Sequence, residues 1–330
     1  MSSSGQPRIV AIGGGKGLPI VLKGLRSYYS GNGIDGSLIG DSLTAIVDVS
    51  NGGRRDFGRE LGMLPLENVK NCLLALGEEQ TVLKSVFQYQ FDETTNGLRG
   101  LSMGSLFLGV LSRQVCDFLT TVQLAGNMLK SMGVVLPCTA ERVKLGARLR
   151  DGRTIIVEDG SSFDHTPVEE VFLLPHKVKA LPQALRTVGE ADVILIGPGS
   201  LYTGIIPSLL PDGLSDAVAK SKAKKILIMN LMTQPGQTDG LDALDHVDAI
   251  FNHCGYQLFD YVVLNCKRME IDRPHRSQAN SPMPVQYNLN RIIKRGLVPI
   301  ECQVSCKGDG GRHDSTKLTE AILKIIHKCT

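Results

Sequence analysis

The sequence predicts an α/β fold: a doubly wound, Rossmann-like domain on a mainly parallel sheet. Three observations predict it. Short, uninterrupted apolar runs recur along the chain: RIVAI (8–12), LTAIVDV (43–49), DVILI (192–196), KILIMN (225–230), YVVLN (261–265) and LVPIECQV (297–304). Runs without polar alternation are what strands buried on both faces of a parallel sheet require. Helical patterns separate the runs, and nearly every run ends in glycine, serine, threonine or asparagine.

Taken in order, the first strand leads into a helix whose Leu18, Val21, Leu22 and Leu25 share one face, with Pro19 in its first turn. Residues 60–132 read as helical, in stretches such as ENVKNCLLALGEE and GSLFLGVLSRQV. Residues 134–174 read as a small β-rich insertion, because RVKLGARLRDGRTIIVED carries two strand-like runs around Asp151-Gly152, a hairpin signal. Helices over Asp212–Lys222 and Asp239–Phe251 flank KILIMN, and Asp314 is placed to cap a final helix over 314–323. Neither an internal repeat nor a low-complexity linker interrupts the chain, so a single domain over 1–330 is expected.

Composition narrows the function classes. The 330 residues are 42% hydrophobic and 21% charged, with a net charge of +3. That balance gives no general pull toward nucleic acid or membrane. Aromatic residues are only 5% and Trp is absent, which disfavours a base-stacking platform. The eight cysteines are scattered, mostly in apolar runs such as NCLLAL, as core thiols are. Cys302 and Cys306 form a C-x3-C pair without a second pair at metal-ligand spacing, so no metal site is expected. The leader MSSSGQPR has no apolar segment and no run is long enough to span a membrane. The expectation is a cytoplasmic protein with neither a nucleic-acid partner nor a membrane span.

In an open parallel sheet, ligands sit beyond the carboxyl ends of the strands. The loops there are therefore the candidate site. Gly13, Gly14, Gly15, Lys16 and Gly17 form either an anion cradle at a helix N-terminus or a plain tight turn. They match neither the dinucleotide fingerprint nor a Walker A loop. SNGGRRDFGRE brings Asn51, Gly52, Gly53, Arg54, Arg55 and Arg59, suited to phosphate or carboxylate, or simply a solvated basic loop. Asp48 reads as a ribose-binding acid or as a structural carboxylate. GPGSLYTG offers Gly197, Gly199, Ser200, Tyr202 and Thr203, an anion nest or a turn with Ser200 as helix cap. NLMTQPGQTDG offers Asn230, Thr233, Gln234 and Thr238, suited to sugar hydroxyls, a base edge or the loop's own backbone. Arg312 stands just before the last helix, where it can close on an anion. His246 and His253 read as helix-face residues. Nucleophile elbows, zinc-helix motifs and paired carboxylates are absent from the sequence. The chain is better equipped to bind a phosphorylated ligand than to break bonds.

Together these segments resemble the YvcK-type gluconeogenesis factors, within the CofD-like superfamily that also holds the phospholactate transferases. AIGGGKGL is similar to that family's IGGGTGL, and LGMLPLENVKNCLLAL to its L-x-PP-G-D-x-RN-x-x-x-AL block. FQYQF, VLP, IGPGSLYTGIIPSLL, NLMTQPGQTDG, DHVDAI and RHDS are similar to further motifs, across nearly the whole chain. The resemblance implies a Rossmann-like protein that binds a UDP-sugar, notably UDP-N-acetylglucosamine. It implies a regulatory role in cell-wall precursor supply and cell shape, acting on glucosamine-6-phosphate synthase, with a homodimer as the expected assembly. It adds Asn71 and Ser102 to the ligand-binding set, assigns Arg312 to the UDP-sugar, and aligns Ser315 with a threonine that can be phosphorylated. Two departures stand out. The family's DDGGSSGRLR is NGGRRDFGR here, and its G-H-S-F-G-N-L is GLSMGSL. With the acidic pair reduced to Asn51, a catalytic role recedes and no catalytic residue is assigned. A metal cofactor is not required by this reading, because Arg54 and Arg55 can neutralise a diphosphate where Mg2+ would otherwise serve. A phospholactate-type transferase is the alternative, and an NAD-binding protein the second, the latter weakened by the missing third glycine.

Overall fold

A computed structural model describes residues 6–31, 42–50, 66–79, 81–92, 98, 100–157, 163, 166–266, 281–306 and 311–328. The described residues build a seven-stranded sheet in the order β3-β2-β1-β7-β8-β9-β10. All of its pairings are parallel. The strands are β1 (Ile9–Gly13), β2 (Leu43–Val47), β3 (Val134–Pro137), β7 (Val193–Ile196), β8 (Lys224–Ile228), β9 (Tyr261–Asn265) and β10 (Val298–Cys302). From β1 the chain winds outward through β2 and β3, then returns to β7 on the other side of β1. That reversal is the switch point of a doubly wound sheet.

Burial follows position in the sheet. Every residue of β1, β2 and β7 is buried, as both faces are covered. At the edge, β10 exposes Val298 and Glu301. The register sets Ile9 beside Leu43 and Val193, and Ile12 beside Ile46 and Ile196. Helix α1 (Leu18–Gly31) buries Leu18, Val21, Leu22 and Leu25 completely. It packs against α2 (Glu67–Leu76) and against the last helix, α11 (Ser315–Lys328).

The helical stretch holds α2, α3 (Val82–Gln88), α4 (Met103–Val115) and α5 (Phe118–Met128). Three of its four helix starts carry side-chain caps; α2, which follows Leu66, has none. Thr81, Ser102 and Asp117 accept from the backbone N–H groups of Lys84, Ser105 and Thr120. Between 134 and 174 the chain divides its strands. β3 joins the large sheet beside β2, whereas β4 (Lys144–Leu149), β5 (Thr154–Ile156) and β6 (Val168–Leu174) form a separate antiparallel sheet. The separate sheet therefore starts at Lys144, ten residues later than the predicted insertion. The β4–β5 hairpin turns through Asp151 and Gly152, whose φ of +88° needs glycine.

Beyond it lie α6 (Pro182–Glu190), a π-helical turn over Leu201–Ile205 that continues as α7 (Ile206–Leu209), α8 (Leu214–Lys220), α9 (Ala243–Cys254) and α10 (Leu289–Lys294). Asp242 and Asp245 form a capping box at the start of α9. The small sheet is stitched to α9 by His253. Its Nδ1–H donates to Ala249 O, and its Nε2 accepts from the Val171 N–H at 2.9 Å. Among the described residues no helix is long and apolar enough to cross a membrane. The expectation of core thiols holds for Cys72 and Cys138, which are buried, but Cys116 and Cys266 are exposed. Both follow the last turn or the last residue of an element, where the chain meets solvent.

Candidate functional site

At the switch point the loops after β1, β7, β8 and β10 enclose a crevice of about 1130 Å3. This exceeds the span of about 300–1,000 Å3 usual for small-molecule sites, leaving room for an extended ligand.

The glycine loop forms one wall. Gly15, Lys16 and Gly17 line the crevice, while Gly13 and Gly14 lie beneath it and do not. A side chain on Gly17 would place its Cβ 2.2 Å from Pro198 O, so glycine is what allows the β1 and β7 loops to meet. Gly15 turns with φ +68°. Its N–H is already engaged, donating to Asn68 Oδ1 at 3.0 Å. Asn68 Nδ2 in turn donates to Asp48 O. Asp48 is fully buried and its Oδ1 accepts from the Ser50 N–H, so the structural alternative describes this carboxylate. Asn68 thus fixes the loop from α2, and the sequence reading had not singled it out.

The second wall follows β7. Gly199 and Ser200 line the crevice, and Gly197 lies outside its lining. The Gly197–Pro198 peptide is cis. Asn230 clamps this loop in both directions, donating to Gly199 O at 2.7 Å and accepting from the Gly199 N–H at 3.2 Å. Ser200 does not cap the following turn through its side chain. Its hydroxyl instead accepts from Thr203 Oγ1 and donates to Gln237 Oε1. Thr203 therefore supports the wall from behind. Tyr202 faces away altogether. It is 6% exposed, its ring set edge-on to Phe163 and His253, and burial raises its hydroxyl pKa. Ser200 stands before the π-helical turn and Tyr202 within it, two positions on, so the two side chains leave the chain in opposite directions.

Asn230, Thr233, Gln234 and Gln237 supply the neutral polar lining. Thr233 also ties this loop to the 281–288 segment, accepting from the Met283 N–H. Thr238 is fully buried and holds the loop by accepting from the Gln234 N–H. Gln234 Oε1 is buried without a hydrogen-bond partner among the described residues.

The last wall comes from Gly311–Ser315. Cys306 N–H donates to Arg312 O, and Ser305 pairs with His313, which sets the exposed Arg312 at the crevice. His313 is buried and its Nε2 lies 3.2 Å from Met229 O. Burial lowers its pKa to about 4, so the ring is neutral at pH 7. Asp314 Oδ1 accepts from the Thr316 and Lys317 N–H groups, the predicted cap. Ser315 lines the crevice. His246 lies on α9 as expected, but it is buried, and burial lowers its pKa.

Two predicted residues lie elsewhere. Asn71 faces a second cavity. Ser102 is buried, where its hydroxyl accepts from Lys70 Nζ. The loop carrying Asn51, Gly52, Gly53, Arg54, Arg55 and Arg59 lies outside the described residues. Among the described residues, no three His, Cys, Asp or Glu side chains are grouped to hold a metal ion.

The fold and crevice define a doubly wound α/β protein with a polar crevice at the switch point of its sheet. The family model of 2-phospho-L-lactate transferase CofD matches residues 9–305. A relative from Thermoanaerobacterium thermosulfurigenes is 37% identical over 97% of both chains. The gluconeogenesis factor of Bacillus subtilis is 34% identical over 97% of this chain and 98% of its own. A crystal structure of a Bacillus halodurans protein superposes with a TM-score of 0.87 at 33% identity, covering 96% of this chain and 99% of that one. The chain belongs to the CofD family and, within it, to the gluconeogenesis factors.

Proposed function

We propose that this protein is a cytoplasmic regulator that binds UDP-N-acetylglucosamine in the switch-point crevice and does no covalent chemistry on it. The observation that carries this reading is the meeting of Lys16 and Arg312 in one crevice with the glycine loop that opens α1. A diphosphate suits two cations at a helix N-terminus. The amides of Asn230, Gln234 and Gln237 suit the hydroxyls and base edge of a nucleotide sugar. Because Asn68 already occupies the Gly15 N–H, the anion is held chiefly by side-chain charge rather than by the glycine amides. In this proposal the liganded protein acts on glucosamine-6-phosphate synthase, adjusting cell-wall precursor supply, and works as a homodimer. Arg54 and Arg55 complete the charge on the diphosphate, so Mg2+ is not needed.

Calorimetric titration with UDP-N-acetylglucosamine, with and without Mg2+, tests the proposal. Saturable binding that is indifferent to Mg2+ is expected. Arg312→Ala should weaken it by about 1.5–3 kcal/mol, the worth of a charge-assisted contact. No heat at millimolar ligand would refute the reading. The family model's description favours a second reading, a transferase using a nucleotide-activated donor. It predicts nucleotide release when donor and acceptor alcohol are supplied together, and the first reading predicts none.

A further inference from the structure

Beside the crevice lies a second cavity of about 450 Å3. Its walls are the first turns of α1, the outer face of α2, and α3 with the residues that follow it. Lys16, Lys23 and Arg312 line both spaces, but Lys84, Asn71 and Gln88 line only the second.

The charge balance of this annex is one-sided. Among the described residues its carboxylates are Glu67 and Glu79, and each is held by a buried cation. Glu67 accepts from Lys70 Nζ at 2.7 and 2.8 Å and from the Ser105 hydroxyl at 3.0 Å. The Lys70 side chain is only 4% exposed. Glu79 pairs with Arg26, which also donates to Gly77 O. Lys23 stands at 3.8 Å from Glu79, a carboxylate that Arg26 already holds. Lys84 makes a long 3.4 Å contact to Gly77 O. Lys16, Lys23 and Lys84 therefore face a cavity whose carboxylates, among the described residues, are already committed. Burial, then the neighbouring Arg26, and also Lys23 lower the pKa of Lys84, against an opposing pull from Glu79.

The remaining lining is not that of a bare ion site. Gln88 and Gln90 present amides, Asn71 adds an amide whose Nδ2 makes a long 3.4 Å contact to Glu67 Oε1, and Ile20, Leu74 and Ala75 present a small apolar floor. Amides match hydroxyl groups, the floor matches the C–H face of a small carbon skeleton, and the ammonium cluster matches a phosphate. The volume falls within the range of about 300–1,000 Å3 for small-molecule sites.

We propose that the annex is a second ligand site, for a small phosphomonoester that carries several hydroxyl groups. Its phosphate lies among Lys16, Lys23 and Lys84, and its hydroxyls meet Asn71 and Gln88. The proposal rests on the annex walls and not on the nucleotide-sugar reading. Through Lys16 and Arg312 the two ligands would adjoin each other.

The probe is glucose 6-phosphate, titrated calorimetrically against the full chain, with inorganic phosphate and glucose as separate arms. Saturable binding of glucose 6-phosphate is expected, at least about tenfold tighter than inorganic phosphate. Lys84→Gln and Gln88→Ala should each weaken it about fivefold or more, while leaving UDP-N-acetylglucosamine binding within about twofold. Melting curves of both variants establish that they are folded. Three results would overturn the proposal: no glucose 6-phosphate binding in the millimolar range; equal binding by inorganic phosphate; or a matching loss of UDP-N-acetylglucosamine affinity in Lys84→Gln, which would make the annex part of the first site. Binding of glucose 6-phosphate without binding of UDP-N-acetylglucosamine would refute the nucleotide-sugar reading and leave this one standing.

Discussion

At Gly17 a single methyl group decides whether the two central loops can touch. Gly17→Ala puts that group 2.2 Å from Pro198 O, and backbone cannot yield as a flexible side chain can. The expected cost is about 1–3 kcal/mol of stability by urea denaturation, with loss of ligand binding. Asn68→Ala removes both bonds that hold the loop from α2. It should cost about 1–3 kcal/mol, because buried polar groups are left unsatisfied. His313 makes a pH signature. Its pKa lies at about 4 in the fold against an ordinary 6.5, so the unfolded chain takes up the proton first. Its contribution is intact above pH 6.5 and is lost as pH falls toward 4. The full span is worth about 3 kcal/mol. Denaturation across that range should show the decline, and His313→Gln should flatten it. The residues that line the site were only partly legible. A loop's composition announces its chemistry but not its direction, which is why Tyr202 turns into the core while Ser200 lines the crevice. Asn71 entered through the resemblance, whereas Asn68, three residues earlier on the same helix, is marked only by packing, which shows that it reaches the loop.

Helix α11 depends on α1 at one point of close approach. An added Cβ on Gly24 would lie 2.3 Å from both Ser315 O and Thr319 Oγ1. Gly24→Ala should push α11 outward, costing about 1–3 kcal/mol. Because Arg312 and Ser315 sit at the start of α11, it should also weaken nucleotide-sugar binding, which titration of the variant would show. The capping box of α9 has a smaller role. Asp242→Ala should cost about 1 kcal/mol in a melting or urea experiment, without touching the crevice. At this scale the central strands were legible because a parallel strand covered on both faces must be apolar throughout. For a related reason the β-rich insertion was read as beginning at 134, though β3 pairs with β2 in the large sheet. Four residues at a sheet edge, with Val134 half-buried, carry no mark of the neighbour they will pair with. The π-helical turn has no sequence signature of its own.

Over the whole molecule the net charge is slight, so binding must draw on local charge. The affinity for UDP-N-acetylglucosamine should therefore fall several-fold as salt rises from low to molar levels, since exposed cations such as Lys16 and Arg312 are screened over about 3 Å at 1 M against about 10 Å at 0.1 M. A titration series in sodium chloride measures this, and salt-independent binding would indicate that Lys16 and Arg312 do not hold the phosphates. The location of the crevice was legible, because loop chemistry at the carboxyl ends of several strands pointed to one sheet edge. The annex was not, because it is made by the outer faces of helices, where a lysine reads as ordinary solvated surface until another helix folds over it.

The roof of the crevice comes from Gly311–Ser315 and its floor from Gly15–Gly17, so the pocket joins the loop after β1 to the segment that opens α11, nearly 300 residues further along the chain. By the time β10 emerges, the sheet has all its described strands, yet the arginine wall is still to come. Binding competence therefore arrives late in synthesis. A chain truncated just after β10 should assemble its sheet and still be unable to retain the ligand, which makes ligand capture a report on the docking of α11 rather than on core formation alone.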